Sequence, residues 1–158
     1  MQFDPNFTGT PPFEISGDIT AVRVLEGGVQ RNRVVDPTKS LDIEVDWEVD
    51  GGLTNLWLTA LASAQWRVSV HAESQGAGDE KSLGEVFVPI GPLSATLPYR
   101  RTATISVPAP VPLQQHSGVN SGVYKLTVTV FLNSSIPGGG FDMIGFAEGP
   151  YIQVENPA

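Results

Sequence analysis

Five carboxylates set two residues apart are the part of this chain best equipped for chemistry. They are Asp42, Glu44, Asp46, Glu48 and Asp50, in the stretch LDIEVDWEVD. In an extended strand, residues i, i+2 and i+4 share one face and lie about 6.6–7 Å apart. The stripe therefore gathers negative charge on a single surface, and something must offset the repulsion. Three readings fit. The stripe is a solvated sheet face partly neutralised by arginines on neighbouring strands, each exposed pair contributing roughly 0.2–1 kcal/mol. Alternatively it docks a basic partner, steering association electrostatically. Or it binds Ca²⁺, although that ion wants 6–8 converging oxygens and a flat strand splays them apart. Glu73, Asp79, Glu80 and Glu85 are better placed to converge, yet no DxDxDG-type loop accompanies them. A two-carboxylate glycosidase needs a separation of about 5–9.5 Å across a cleft. The stripe offers the separation, but the sequence shows no cleft.

Other catalytic templates are missing. The chain has two histidines, His71 and His116, and no cysteine. A thiol nucleophile, a disulfide framework and Cys-based zinc sites are thereby excluded. No GxSxG elbow presents a serine to a base. His71 alternates with Val70 and Ala72 and is expected on a sheet face; His116 follows Gln114 and Gln115 and is expected in solvent. The two have no metal-motif spacing. Gly138, Gly139 and Gly140 lack the GxxxxGK[ST] pattern and read as a hairpin tip rather than a phosphate cradle. The expectation is a non-enzymatic protein with no metal and no cofactor.

Aromatic residues supply a second kind of candidate. Trp47 and Trp66 have the parity of core residues. Trp57 lies between two strands, and the loops around it carry Leu56, Leu93, Ile136 and Phe141. In a sandwich these five would gather at one tip. They would serve either as an apolar plug over the open end or as a platform for a protein partner or a sugar.

Composition bounds the class of protein. The 158 residues carry a formal net charge of −8, with 16% charged residues, 17 glycines and 13 prolines. The acidic balance argues against nucleic acid, whose phosphates demand clustered Lys and Arg, and against an anionic membrane surface. Frequent Gly and Pro suit many short strands joined by turns. No apolar run approaches the ~20 residues of a membrane span. The opening MQFDPNFTGTPPF lacks the basic and apolar regions of a secretory signal. A cytoplasmic protein is expected, or alternatively a secreted one whose signal has been removed.

Residues 1–12 read as an N-terminal arm holding Phe3 and Phe7, either loose or inserted into a neighbour. Residues 13–158 read as one domain. Seven segments follow period-two alternation: Glu14–Leu25, Leu41–Asp50, Gln65–Ser74, Ser82–Ile90, Tyr99–Val107, Gly122–Asn133 and Met143–Val154. Gly17 is a candidate bulge, and Pro89 places the fourth strand at an edge. Leu53, Leu56, Trp57 and Leu61 recur at helical spacing within Leu53–Ala64, giving a loop with a helical turn. The proline-rich connection Pro108–Ser121 is long enough to cross between sheets.

The order turn, Gly122, x, Tyr124, x, Leu126, x, Val128 resembles strand F of an immunoglobulin-like or fibronectin type III-like β-sandwich. There a tyrosine folds its hydroxyl back on the preceding segment. The resemblance implies an all-β, two-sheet antiparallel Greek key of about seven strands, in which strands one and five flank strand two. Arg23 and Arg100 then become the arginines that face the acidic stripe. It implies nothing about activity. The reading that fits is an interaction or structural module contacting a protein partner, or a second copy of itself, through its loop tip, an edge strand or its arm. A carbohydrate-binding module using exposed aromatics is the alternative.

Overall fold

Alternating apolar residues produce two sheets that face each other. The computed structural model describes residues 1–6, 9–30, 33–61, 63–93, 96–137 and 141–156. These form β1 (Phe3–Asp4), β2 (Ser16–Glu26), β3 (Val29–Gln30), β4 (Val34–Val35), β5 (Leu41–Asp50), α1 (Thr54–Ala60), β6 (Gln65–Ser74), β7 (Lys81–Pro89), β8 (Tyr99–Val107), β9 (Val123–Leu132) and β10 (Met143–Val154). The smaller sheet runs β3-β2-β5-β8. The larger runs β1-β10-β9-β6-β7, with β4 added in parallel to β10. The expected all-β antiparallel sandwich is present. Its seven long strands are joined by three two-residue strands that the sequence pattern was too short to reveal.

The core is the inner parity of each strand. Ile43, Val45, Trp47 and Val49 of β5 face Trp66, Val68 and Val70 of β6 and Leu126, Val128, Val130 and Leu132 of β9, all buried. Trp47 and Trp66 meet edge to face at 5.7 Å, and Tyr99 lies stacked 6.4 Å from Trp66. The Trp66 indole donates to the Tyr99 hydroxyl at 3.0 Å, which donates to the Ile90 carbonyl at 2.8 Å. The polar handles of both rings are thus satisfied inside the core.

The amino-terminal arm enters this core. Gln2 bridges to Asp18 of the smaller sheet, while Phe3 and Asp4 pair with Gly145 and Ile144 of the larger. Phe3 is buried and sits edge-on to Trp66 at 6.1 Å. A β-carbon at Gly17 would lie 2.7 Å from its ring, and one at Gly145 would lie 2.1 Å away. Gly17 is therefore a slot for Phe3, not the bulge its position suggested. The bulge falls between Ile19 and Ala21 and returns Val22 and Val24 to the inner face. Phe7 lies outside the described residues.

The connection from β8 to β9 crosses between sheets and tucks in Val111 and Leu113. Beyond it the Tyr124 hydroxyl accepts a hydrogen bond from the Gln114 amide at 3.0 Å. The tyrosine thus folds back on the preceding segment, reaching ten residues upstream. Glu26 and Asp36 are buried at the far end. Glu26 accepts from the Asp36 amide, and Lys39 lies 3.5 Å and 3.6 Å from the two carboxylates.

Phe3→Ala is expected to lower unfolding free energy by about 3–5 kcal/mol, whereas Phe87→Ala, on an outer face, should change it by about 0.5 kcal/mol or less. Urea denaturation of both variants checks this. Equal small losses would contradict the inter-sheet position of Phe3.

Candidate functional site

Each sheet also has an outward parity, and the two outer faces differ in chemistry. On the smaller sheet the outward rows are Leu25–Asp42–Ser106, Arg23–Glu44–Thr104, Ala21–Asp46–Thr102 and Asp18–Glu48–Arg100. The stripe is thus flanked by both arginines that the sequence pointed to. The Arg23 guanidinium reaches Asp46 at 2.7 Å and Glu44 at 3.0 Å. Arg100 lies 3.2 Å from Glu48. Thr102 and Ser106 donate hydroxyl bonds to Asp46 and Asp42 at 2.8 Å and 2.6 Å. The Arg23 bond holds the Asp46 carboxyl below the usual aspartate range, and the two carboxylates raise the arginine in turn. Among the described residues no group of three or more His, Asp or Glu side chains is arranged to hold a metal ion. The stripe is consumed largely by its own neighbours, and among the described residues Asp42 alone of Asp42, Glu44, Asp46 and Glu48 has no ion pair, only the Ser106 hydroxyl.

On the larger sheet, strand order brings together residues far apart in sequence. One row reads Phe87–Arg67–Phe131–Ile144 and the next Glu85–Ser69–Thr129–Phe146. Cross-strand neighbours on one face lie about 5 Å apart, so these side chains form one patch. Phe87 is 58% exposed, Phe146 53% and Tyr151 50%. The Arg67 guanidinium lies over the Phe131 ring, 5.2 Å from its centroid. Further along, the rows turn polar: Ser82–His71–Thr127–Glu148, then Glu73–Lys125–Tyr151. Lys125 sits 3.1 Å from Glu73 and 3.8 Å from Glu148, and the Glu73 bond raises its pKa. His71 is exposed and lines an open depression with Glu73, Glu80, Lys81, Ser82 and Thr127. His116 is exposed and its Nδ1 lies 3.1 Å from the Ser121 carbonyl.

The tip residues divide. Trp57 and Phe141 meet edge to face at 5.0 Å, and the Trp57 indole donates to the Phe141 carbonyl at 3.0 Å. Both pack against the core, as does Leu93. Leu56 is 70% exposed on the outer side of α1, and Ile136 is exposed in its loop. Leu58, not Leu56, is the residue α1 buries together with Thr54. The hairpin residues Gly138, Gly139 and Gly140 lie outside the described residues. The aromatic patch escaped the sequence pattern because its members come from four strands. The available signals were Phe131 on the polar parity of its strand and the unbroken run Val86-Phe87-Val88.

Comparison with models of protein families and with curated proteins finds no match to this chain. Function therefore rests on the geometry. No helix among the described residues is long and apolar enough to cross a membrane.

The carboxyl groups of Asp36, Asp46 and Asp142 are held low by hydrogen bonds from Thr38, Arg23 and Ser134. Groups depressed on folding stabilise the native state above their ordinary value of 3.8 and lose that contribution as pH falls through the depressed values. Lys125, raised above 10.5, contributes below that value and loses the contribution as pH rises through its raised one. The thermal midpoint should fall as pH drops below 3.8. Asp46→Asn should make the acid limb shallower. An acid limb unchanged in that variant would contradict the Arg23–Asp46 pairing.

Proposed function

We propose that this chain is a non-enzymatic interaction or structural module with an immunoglobulin-like or fibronectin type III-like topology. Its long strands one, two and five form one sheet and strands three, four, six and seven the other, and Tyr124 folds back onto the preceding connection. These features support the topological reading. The observation that carries the functional one is the outward row Phe87–Arg67–Phe131–Ile144 with Phe146 beside it, in which Phe87, Arg67 and Phe146 are exposed and Phe131 and Ile144 half-buried. Aromatic residues and arginine are the types enriched at the centres of protein interfaces, and a wet sheet face has no packing need for three phenylalanines. The partner is a protein that presents a flat apolar surface. The polar rows around His71 and Lys125 form the rim, and exposed Leu56 and Ile136 lie toward the same end of the sandwich, where β6 and β10 begin. Trp57, Phe141 and Leu93 act as the plug beneath that end.

A carbohydrate platform draws on the same exposed rings. Against it, Arg67 already occupies one face of Phe131, which removes a stacking surface from the middle of the row. Phe87→Asp and Phe146→Asp should leave the thermal midpoint within a few degrees of the parent and abolish capture of proteins from native lysate. Retained capture in both would contradict the reading. A glycan-array signal lost in the same variants would replace it with the carbohydrate one.

A further inference from the structure

We propose that a second copy of this chain docks along β8, pairing β8 with its own symmetry mate in antiparallel fashion to join the two smaller sheets into one. The inference is independent of the aromatic face and rests on how the four sheet edges differ. A free edge strand offers a row of unpaired N–H and C=O groups, and proteins normally blunt it with proline, bulges, lysine or a covering segment. Three edges here are treated in that way. At the outer edge of β10, β1 covers the start and β4 the end, with a bulge between Glu148 and Tyr151. The edge of β2 is met by Gln2 at one end and β3 at the other, and is interrupted by its bulge between Ile19 and Ala21. The edge of β7 has Lys81, Pro89, Gly84 at φ +137° and a register shift against β6 in which Leu83 is the extra residue.

The fourth edge is different. Strand β8 is nine residues long, keeps unbroken register with β5, and contains neither glycine nor proline. Among the described residues, no backbone group outside β5 bonds to it. Arg101, whose Nη2 donates to the Pro89 carbonyl at 2.9 Å, blunts its first part, and β7 runs close beside the strand with Gly84 against Ile105, but among the described residues β7 makes no backbone hydrogen bond to it. Beyond Arg101 the sequence is Thr102-Ala103-Thr104-Ile105-Ser106-Val107, rich in β-branched residues that favour strand pairing.

A two-fold axis through Ala103 pairs all nine residues and selects the occupant. It sets Thr102 opposite the second copy's Thr104, and Arg100 opposite the second copy's Ser106. Threonine pairs are favourable across antiparallel strands. Ser106 is the residue that donates to Asp42, so the axis carries Arg100 toward the carboxylate of that set that has no ion pair among the described residues. The contact is isologous, as a closed dimer requires.

Size-exclusion chromatography with light scattering, over a concentration series, tests this register directly. The parent should show a dimer whose population rises with concentration. T102K/T104K places lysine opposite lysine twice and should weaken the dimer by about tenfold or more. T102K/T104E places lysine opposite glutamate twice and should restore it. Thr102 and Thr104 are both exposed, and circular dichroism confirms that each variant is folded. A parent that stays monomeric at its highest soluble concentration would overturn the proposal. So would a T102K/T104K dimer of parental affinity, or a T102K/T104E protein as monomeric as the double lysine. A dimer lost in Phe87→Asp but kept in T102K/T104K would instead move self-association to the aromatic face.

Discussion

The indole of Trp66 is where both sheets, the amino-terminal strand and one edge of the sandwich meet. Its ring contacts Trp47 from the opposite sheet, Phe3 from β1 and Tyr99 from β8. Its N–H is satisfied through Tyr99, whose hydroxyl continues to the Ile90 carbonyl beside the β7 edge. A buried aromatic of this size removes roughly 150–250 Å² from water, and the hydrogen-bond chain fixes its orientation. With that centre in place, the inward parity of every long strand is determined. The outward parity follows, because neighbouring residues in a strand point to opposite faces. The two outer faces are thus consequences of how the core is filled.

Much of this was legible in the sequence because it is local. Alternation located the seven long strands, Pro89 marked an edge, and the parity of Trp47 and Trp66 placed them inside. The parity change between Ile19 and Val22 announced a bulge, but Gly17 drew attention away from its position. The placement of Arg23 and Arg100 beside the acidic stripe needed only the order of three strands. Phe3 was harder. Its slot is made by two absent side chains, at Gly17 and Gly145, and nothing near Phe3 in the chain signals either. Leu56 and Leu58 show the limit of helical spacing in a seven-residue helix, where the neighbouring core decides which leucine is buried. The aromatic patch required the full order β7-β6-β9-β10, which arises from crossovers and is invisible to any single segment.

The faces divide the surface into regions with different physical character. Outside the smaller sheet, carboxylates are matched by arginine and hydroxyl partners, so most of that charge is already spent within the molecule. The larger sheet leaves rings uncovered at one end and a charged rim at the other. Apolar area exposed in a contiguous patch is unfavourable in water and marks places where proteins meet. Edges add a separate way to associate through backbone groups, and three of them are closed off by chain, bulge or proline. On the function proposed above, the chain works by what it touches, with rigidity supplied by the inter-sheet aromatics.

The separation of sealed core from wet aromatic face can be read residue by residue with hydroxyl-radical footprinting of the isolated protein. Rapid oxidation of Phe87, Phe146 and Tyr151 is expected, with protection of Phe3, Trp47, Trp66 and Tyr99. Oxidation of Trp66 at a rate matching Tyr151, or protection of Phe87 and Phe146 in the monomer, would contradict that separation.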